Sequence, residues 1–111
     1  MKRNLIVPTI KQIIEKYSAD IPDEIHSIIL FGSYARGDHT VRSDVDLALV
    51  LMPGSYRKIN TKATLTNLLT DTLHDVEINC FVTTDEKLQN TITAKDTNYH
   101  IRKEGQLLWM R

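Results

Sequence analysis

The sequence predicts a small α/β fold of the α+β kind, a mixed β-sheet with helices packed on it. Three observations carry that expectation. An apolar stripe at helical spacing opens the chain, β-rich apolar runs recur along it, and helix-like or polar segments separate those runs. Ile6, Ile10, Ile13, Ile14 and Tyr17 fall on one helical face, with Lys11, Gln12, Glu15 and Lys16 opposite. Pro8 suits the first turn of that helix, and residues 18–24, with Pro22, end it. Residues 25–31 are a mostly apolar β-rich run, the pattern of a strand covered on both faces. Residues 32–42 form a polar turn with two glycines. Residues 45–52 predict a second strand, stopped by Pro53-Gly54. Ile59, Leu65, Leu68, Leu69 and Leu73 predict a long helix whose five threonines, at 61, 64, 66, 70 and 72, weaken its propensity. Residues 76–82 predict a third strand. Asp85 is placed to cap a helix through about Ile92, and a turn or helix follows over residues 94–103. Gly105 stands where a helix-ending glycine belongs, before a short last strand over residues 106–110.

Composition narrows the function classes. The 111 residues suit one compact domain, residues 1–111, with no internal repeat or linker. Fourteen Lys and Arg balance fourteen Asp and Glu. That balance argues against a protein that grips nucleic acid through its phosphates, because counterion release requires a basic surface. The lone Cys80 makes no internal disulfide and fits a reducing compartment, so a cytoplasmic location is expected. The N-terminus offers only three apolar residues before Pro8, too few for a signal peptide, and no apolar run approaches a membrane span.

The chemistry concentrates in residues 31–47. Asp44 and Asp46 are two apart at a strand start, so both carboxylates point to one face. Such a pair repels unless a cation lies between, and hard oxygen ligands suit Mg²⁺, which keeps positions open for water and phosphates. Gly32-Ser33 follows a buried strand and opens a turn. The glycine lets backbone approach a ligand closely, N–H groups at a helix start cradle phosphate oxygens, and Ser33 adds a hydroxyl donor. Arg36 or Arg42 is placed to neutralise phosphate charge. Each element alone is a common turn feature. Their combination at this spacing arises by chance in about one chain in a thousand of this length.

Gly32-Ser33, ten residues and Asp44-x-Asp46 resemble the signature of the DNA polymerase β-type nucleotidyltransferase superfamily. The fuller strings Gly-Ser-Tyr-Ala-Arg-Gly and Ser-Asp-Val-Asp-Leu resemble its minimal nucleotidyltransferase (MNT) branch, which includes the antitoxins of HEPN/MNT toxin–antitoxin pairs. The closing residues 101–109 are similar to the family's ending as well. The resemblance implies a polymerase β-like core, with Gly32 and Ser33 at the nucleotide phosphates and Asp44 and Asp46 as catalytic ligands of Mg²⁺, and Arg36 is the further residue expected at the nucleotide. It implies transfer of AMP from ATP onto a hydroxyl, with a tyrosine of a HEPN-type toxin as acceptor and the chain as antitoxin. A contact-only antitoxin and a nucleotidyltransferase of small molecules are the alternatives. No segment is left over to hold an acceptor, so a partner protein, or a second copy of the chain, is expected to complete the pocket.

The family's third carboxylate lies on a neighbouring strand. In residues 75–82 the odd positions Asp75, Glu77 and Asn79 share one face, while Val76, Ile78, Cys80 and Val82 enter the core. Glu77 is the expected metal ligand and base, a departure from the family's usual aspartate, and Asp75 is the substitute. A water-facing sheet surface explains the same row without chemistry. The four histidines lack local zinc spacing, and His39 reads as a solvated loop residue. Cys80 reads as a small buried hydrophobe. The basic pairs Lys2-Arg3 and Arg57-Lys58 read as solvated.

Overall fold

A computed structural model describes residues 3–55 and 59–111. The helix side of the amphipathic opening stripe forms α1 (Ile6–Lys16), with Ile6, Ile10, Ile13 and Ile14 all buried. Truncating Ile10 or Ile14 to alanine at such a position costs about 2–5 kcal/mol. A 3₁₀ turn over Ser18–Asp20 follows and leads into β1 (Ile25–Phe31). The polar segment after β1 contains a single helical turn, α2 (Ser33–Arg36), before β2 (Val45–Leu51). Next come α3 (Ile59–Thr70), β3 (Ile78–Thr84), α4 (Asp85–Asn90), α5 (Thr97–Glu104) and β4 (Gln106–Met110). Lys2 and the Arg57-Lys58 pair lie outside the described residues, as does the side chain of Arg3.

The four strands form one mixed sheet in the order β3-β2-β1-β4. β1 pairs antiparallel with β2 and with β4, whereas β2 and β3 run parallel. Alternation sends the sheet's apolar side chains to two layers. Ile28, Leu30, Val45, Leu47, Leu49, Ile78 and Cys80 pack on one face with α1 and with Leu65 and Leu69 of α3. Ala48 and Val50 pack on the other with Leu88 of α4 and Ile101 of α5, joined by Ile29, Phe31 and Phe81. The central strands are therefore covered on both sides, as their continuous apolar runs predict. Among the described residues no helix is long and apolar enough to cross a membrane.

Several boundaries differ from the sequence reading, each for a local reason. α3 stops at Thr70, leaving Thr72 and Leu73 beyond it, and within it Thr66 Oγ1 donates to the Lys62 carbonyl (2.8 Å) and Thr70 Oγ1 to that of Asn67 (3.4 Å), bonds that compete with the helix ladder. The residue capping α4 is Thr84, whose hydroxyl accepts from Lys87 N–H, and Asp85 is the first helical residue instead. That helix stops at Asn90, leaving Ile92 outside it and 91% exposed. β3 begins at Ile78, so Val76 and Glu77 precede the strand, yet Val76, Ile78 and Cys80 are buried and Glu77 and Asn79 exposed as the alternation requires. Gly105 ends α5 with an extended backbone (φ −65°, ψ 143°) rather than a left-handed one. Its smallness serves packing: a Cβ there would lie 2.6 Å from Ile29 Cγ2 and against the Ile101 carbonyl oxygen.

Candidate active site

The register of β1 and β2 builds the site. Phe31, the last residue of β1, pairs with Asp46, so the chain leaving β1 at Gly32 passes directly over the Asp46 side chain. Gly32 adopts φ 76° and ψ −157°, a region that is essentially glycine-only. A Cβ at this position would also collide with the Asp46 carboxylate. The next residues turn at once into α2, whose first carbonyl, that of Gly32, accepts from Ala35 N–H (3.1 Å) and Arg36 N–H (3.0 Å). Ser33 opens this turn, while its neighbour Tyr34 is buried and stacks on His39 with ring centroids 4.2 Å apart. His39 thus supports the loop from the inside, half-buried against an aromatic ring rather than fully solvated.

Asp44 and Asp46 reach the same point in space. The side-chain amide of Asn79 donates to Asp44 Oδ2 at 3.1 Å and to Asp46 Oδ1 at 3.5 Å. The parallel register explains it, since Asn79 pairs with Asp46 across β2 and β3. Burial pushes the Asp46 carboxyl up from its ordinary value; the Asn79 hydrogen bond opposes this, and the charge of Asp44 adds to the rise. Two carboxylates whose oxygens share one amide donor fit a single hard cation with its remaining positions open, the arrangement Mg²⁺ prefers beside phosphates. Glu77 lies one residue before β3, exposed, and its backbone carbonyl accepts from Val45 N–H at 2.9 Å. Among the described residues no group of three His, Cys, Asp or Glu side chains is arranged to hold a metal ion. Asn79 donates to both aspartates.

Arg36 closes the other side. Its Nε meets Asp38 Oδ2 at 3.1 Å and its Nη1 meets Glu104 Oε1 at 3.0 Å, and those hydrogen bonds, Asp38 first, raise its pKa further. A cleft of about 340 Å³ opens between Gly32, Ser33, Arg36, Asp46, His100 and Glu104. A second cleft of about 610 Å³ adjoins it, sharing Arg36, His100 and Glu104 and adding Tyr99 and Lys103. The predicted residues Gly32, Ser33, Arg36 and Asp46 thus line one cavity, with Asp44 tied to it through Asn79. The sequence assigns Glu104 and His100 no role in this site, because they arrive on α5, far along the chain. Cys80 belongs to the opposite face, where burial pushes its thiol up, in keeping with a small hydrophobe.

Comparison with known proteins points the same way. A candidate protein adenylyltransferase of Methanocaldococcus jannaschii is 30% identical over 79 residues, 71% of this chain and 54% of that protein. The chain spans about half the length of the curated relatives it matches. Among solved structures, a toxin–antitoxin with AMP-PNP aligns over 91% of this chain and 73% of that chain, with TM-score 0.62 and 23% identity. The complex of a tri-AMPylated Shewanella oneidensis HEPN toxin with its MNT antitoxin aligns over 95% and 73%, with TM-score 0.58 and 20% identity. These likenesses establish the fold. The profile described as polymerase beta, nucleotidyltransferase matches residues 9–111, and with the Gly-Ser turn seated over the aspartate pair the chain belongs to that family.

Proposed function

We propose that the chain is a Mg²⁺-dependent nucleotidyltransferase that moves AMP from ATP onto a protein hydroxyl. The acceptor in this reading is a tyrosine of a HEPN-type toxin, which the chain silences as an antitoxin. The observation that carries it is the glycine-serine turn seated over Asp46 in one open cleft, with Asp44 joined to Asp46 through the Asn79 amide. The family supports the reaction type. The acceptor is suggested by a structural neighbour described as an AMPylated HEPN toxin with its MNT antitoxin, and by relatives named as candidate protein adenylyltransferases.

A divalent ion, when bound, supplies positive charge to the phosphates as negative charge builds in transfer. The chain's own groups do the rest. Asp44 and Asp46 would hold that ion, and Ser33 donates to a phosphate oxygen. The acceptor oxygen forms a bond to the α-phosphorus, the bond to the bridging oxygen breaks, and pyrophosphate leaves. The acceptor proton passes to a carboxylate base, the role assigned here to Glu77, with Asp75 as the substitute.

One observation favours a second reading, an antitoxin that acts by contact alone. Asn79, a neutral amide, is the β3 residue paired with Asp46, and it donates to both aspartates. Co-expression with the toxin separates the two. An AMP adduct on the toxin that requires Asp44 and Asp46 supports transfer, and full neutralisation by the Asp44→Asn, Asp46→Asn protein without an adduct supports contact.

A further inference from the structure

Glu104 sits on two donors that the glycine-serine turn offers to an anion. Its Oε1 accepts from Gly32 N–H at 3.1 Å and from Arg36 Nη1 at 3.0 Å. One oxygen receiving a peptide N–H and a guanidinium is the coordination typical of a phosphoryl oxygen. The contact is fixed by the fold. Glu104 is the last residue of α5, only 17% of its side chain is exposed, and the helix is held at both ends. Asp96 caps its start through Asn98 N–H at 2.9 Å, Asn98 bonds Thr83 of β3, and Gly105 seats its end against Ile29. The same cleft holds Asp46, so Glu104 adds a second negative charge to it.

We propose that Glu104 stands in the phosphate's place, so that a nucleotide enters the turn only by displacing this carboxylate, and that the residue thereby sets the site's affinity for phosphate. This rests on reading the cleft as a nucleotide site. When phosphate arrives, Gly32 N–H and Arg36 exchange one anion for another, and the net gain is small. With Glu104 removed, both donors are free and the phosphate keeps their full contribution.

The test is calorimetric titration of the full chain with inorganic tripolyphosphate and with Mg²⁺·ATP, for wild type, Glu104→Gln and Glu104→Ala, beside their melting temperatures. Glu104→Ala should bind both ligands roughly tenfold more tightly per folded molecule, the scale of one charge-assisted hydrogen bond. Glu104→Gln keeps a neutral acceptor and should gain less, and it carries the test if the alanine protein does not fold. Unchanged or weaker binding in the folded variants overturns the proposal, because a residue that only braces the turn lowers affinity when lost. If wild type transfers AMP and the variants gain no affinity, the inference alone falls. If the variants gain phosphate affinity but no protein transfers AMP, the functional reading alone falls. Absence of phosphate binding in all three overturns both.

Discussion

Asn79 stands beside Asp46 across the parallel strands β2 and β3, its amide nitrogen 3.5 Å from Asp46 Oδ1 and 3.1 Å from Asp44 Oδ2. This one donor moderates the repulsion between two carboxylates on a single strand face, the task a bound cation performs better. The aspartate pair is therefore held together by the Asn79 amide.

Replacing both carboxylates, Asp44→Asn with Asp46→Asn, should abolish Mg²⁺-dependent ATP binding and leave the fold intact. Calorimetry reads the affinity and circular dichroism the fold. Unchanged Mg²⁺·ATP affinity in the folded double variant would remove these residues from the site.

Asp46 also has a stability consequence with a definite sign. Its carboxyl is raised above the ordinary value chiefly by burial. A raised acid contributes stability that is present at low pH and lost as pH rises through its folded-state pKa. In chelator-treated protein Asp46→Asn should therefore melt higher than wild type at neutral pH. The difference should shrink as pH falls through the carboxylate range, and thermal scans across that range check it. A variant that melts lower than wild type at neutral pH contradicts a carboxylate that burial destabilises.

Ser33 should matter to ligand more than to fold. A hydrogen bond to a charged group is worth about 1.5–3 kcal/mol, so Ser33→Ala should weaken ATP binding or transfer roughly tenfold or more. Its melting temperature should stay close to wild type. A large drop in melting with unchanged affinity per folded molecule assigns Ser33 to structure.

Glu77→Gln separates a catalytic base from a solvated strand end, because it keeps size and removes charge. Single-turnover transfer should slow markedly if Glu77 accepts the proton. Equal rates discard Glu77 and make Asp75→Asn the next variant.

Gly105→Ala should destabilise the chain by about 1–3 kcal/mol, the range for forcing a methyl into a filled space. The added carbon meets Ile29 Cγ2 and the Ile101 carbonyl. Denaturant unfolding measures the loss, and a neutral result would mean that the end of α5 yields easily.

Much of this fold is legible because two periodicities carry it. The α1 stripe from Ile6 to Ile14 buries as its spacing requires, and the alternation through Asp44 and Asp46 places both carboxylates on one face. Alternation in residues 75–79 likewise finds the face that Asn79 shares with Asp46, but it leaves open which of three polar residues reaches the aspartates. The parallel register with β2 brings Asn79 against Asp46, and register is a tertiary property. Glu104 is 72 positions from Gly32, and only the folding of α5 back over β1 joins them, so no local pattern marks it. The α4 start failed by one residue because Thr84 and Asp85 are both good caps and adjacent.

The central claim is AMP transfer that depends on the aspartate pair, and intact-mass spectrometry of a HEPN toxin co-expressed with this chain tests it most directly. The account expects one or more AMP additions on a toxin tyrosine with the wild-type chain, and none with the Asp44→Asn, Asp46→Asn protein. An unmodified toxin that both proteins neutralise equally would contradict it.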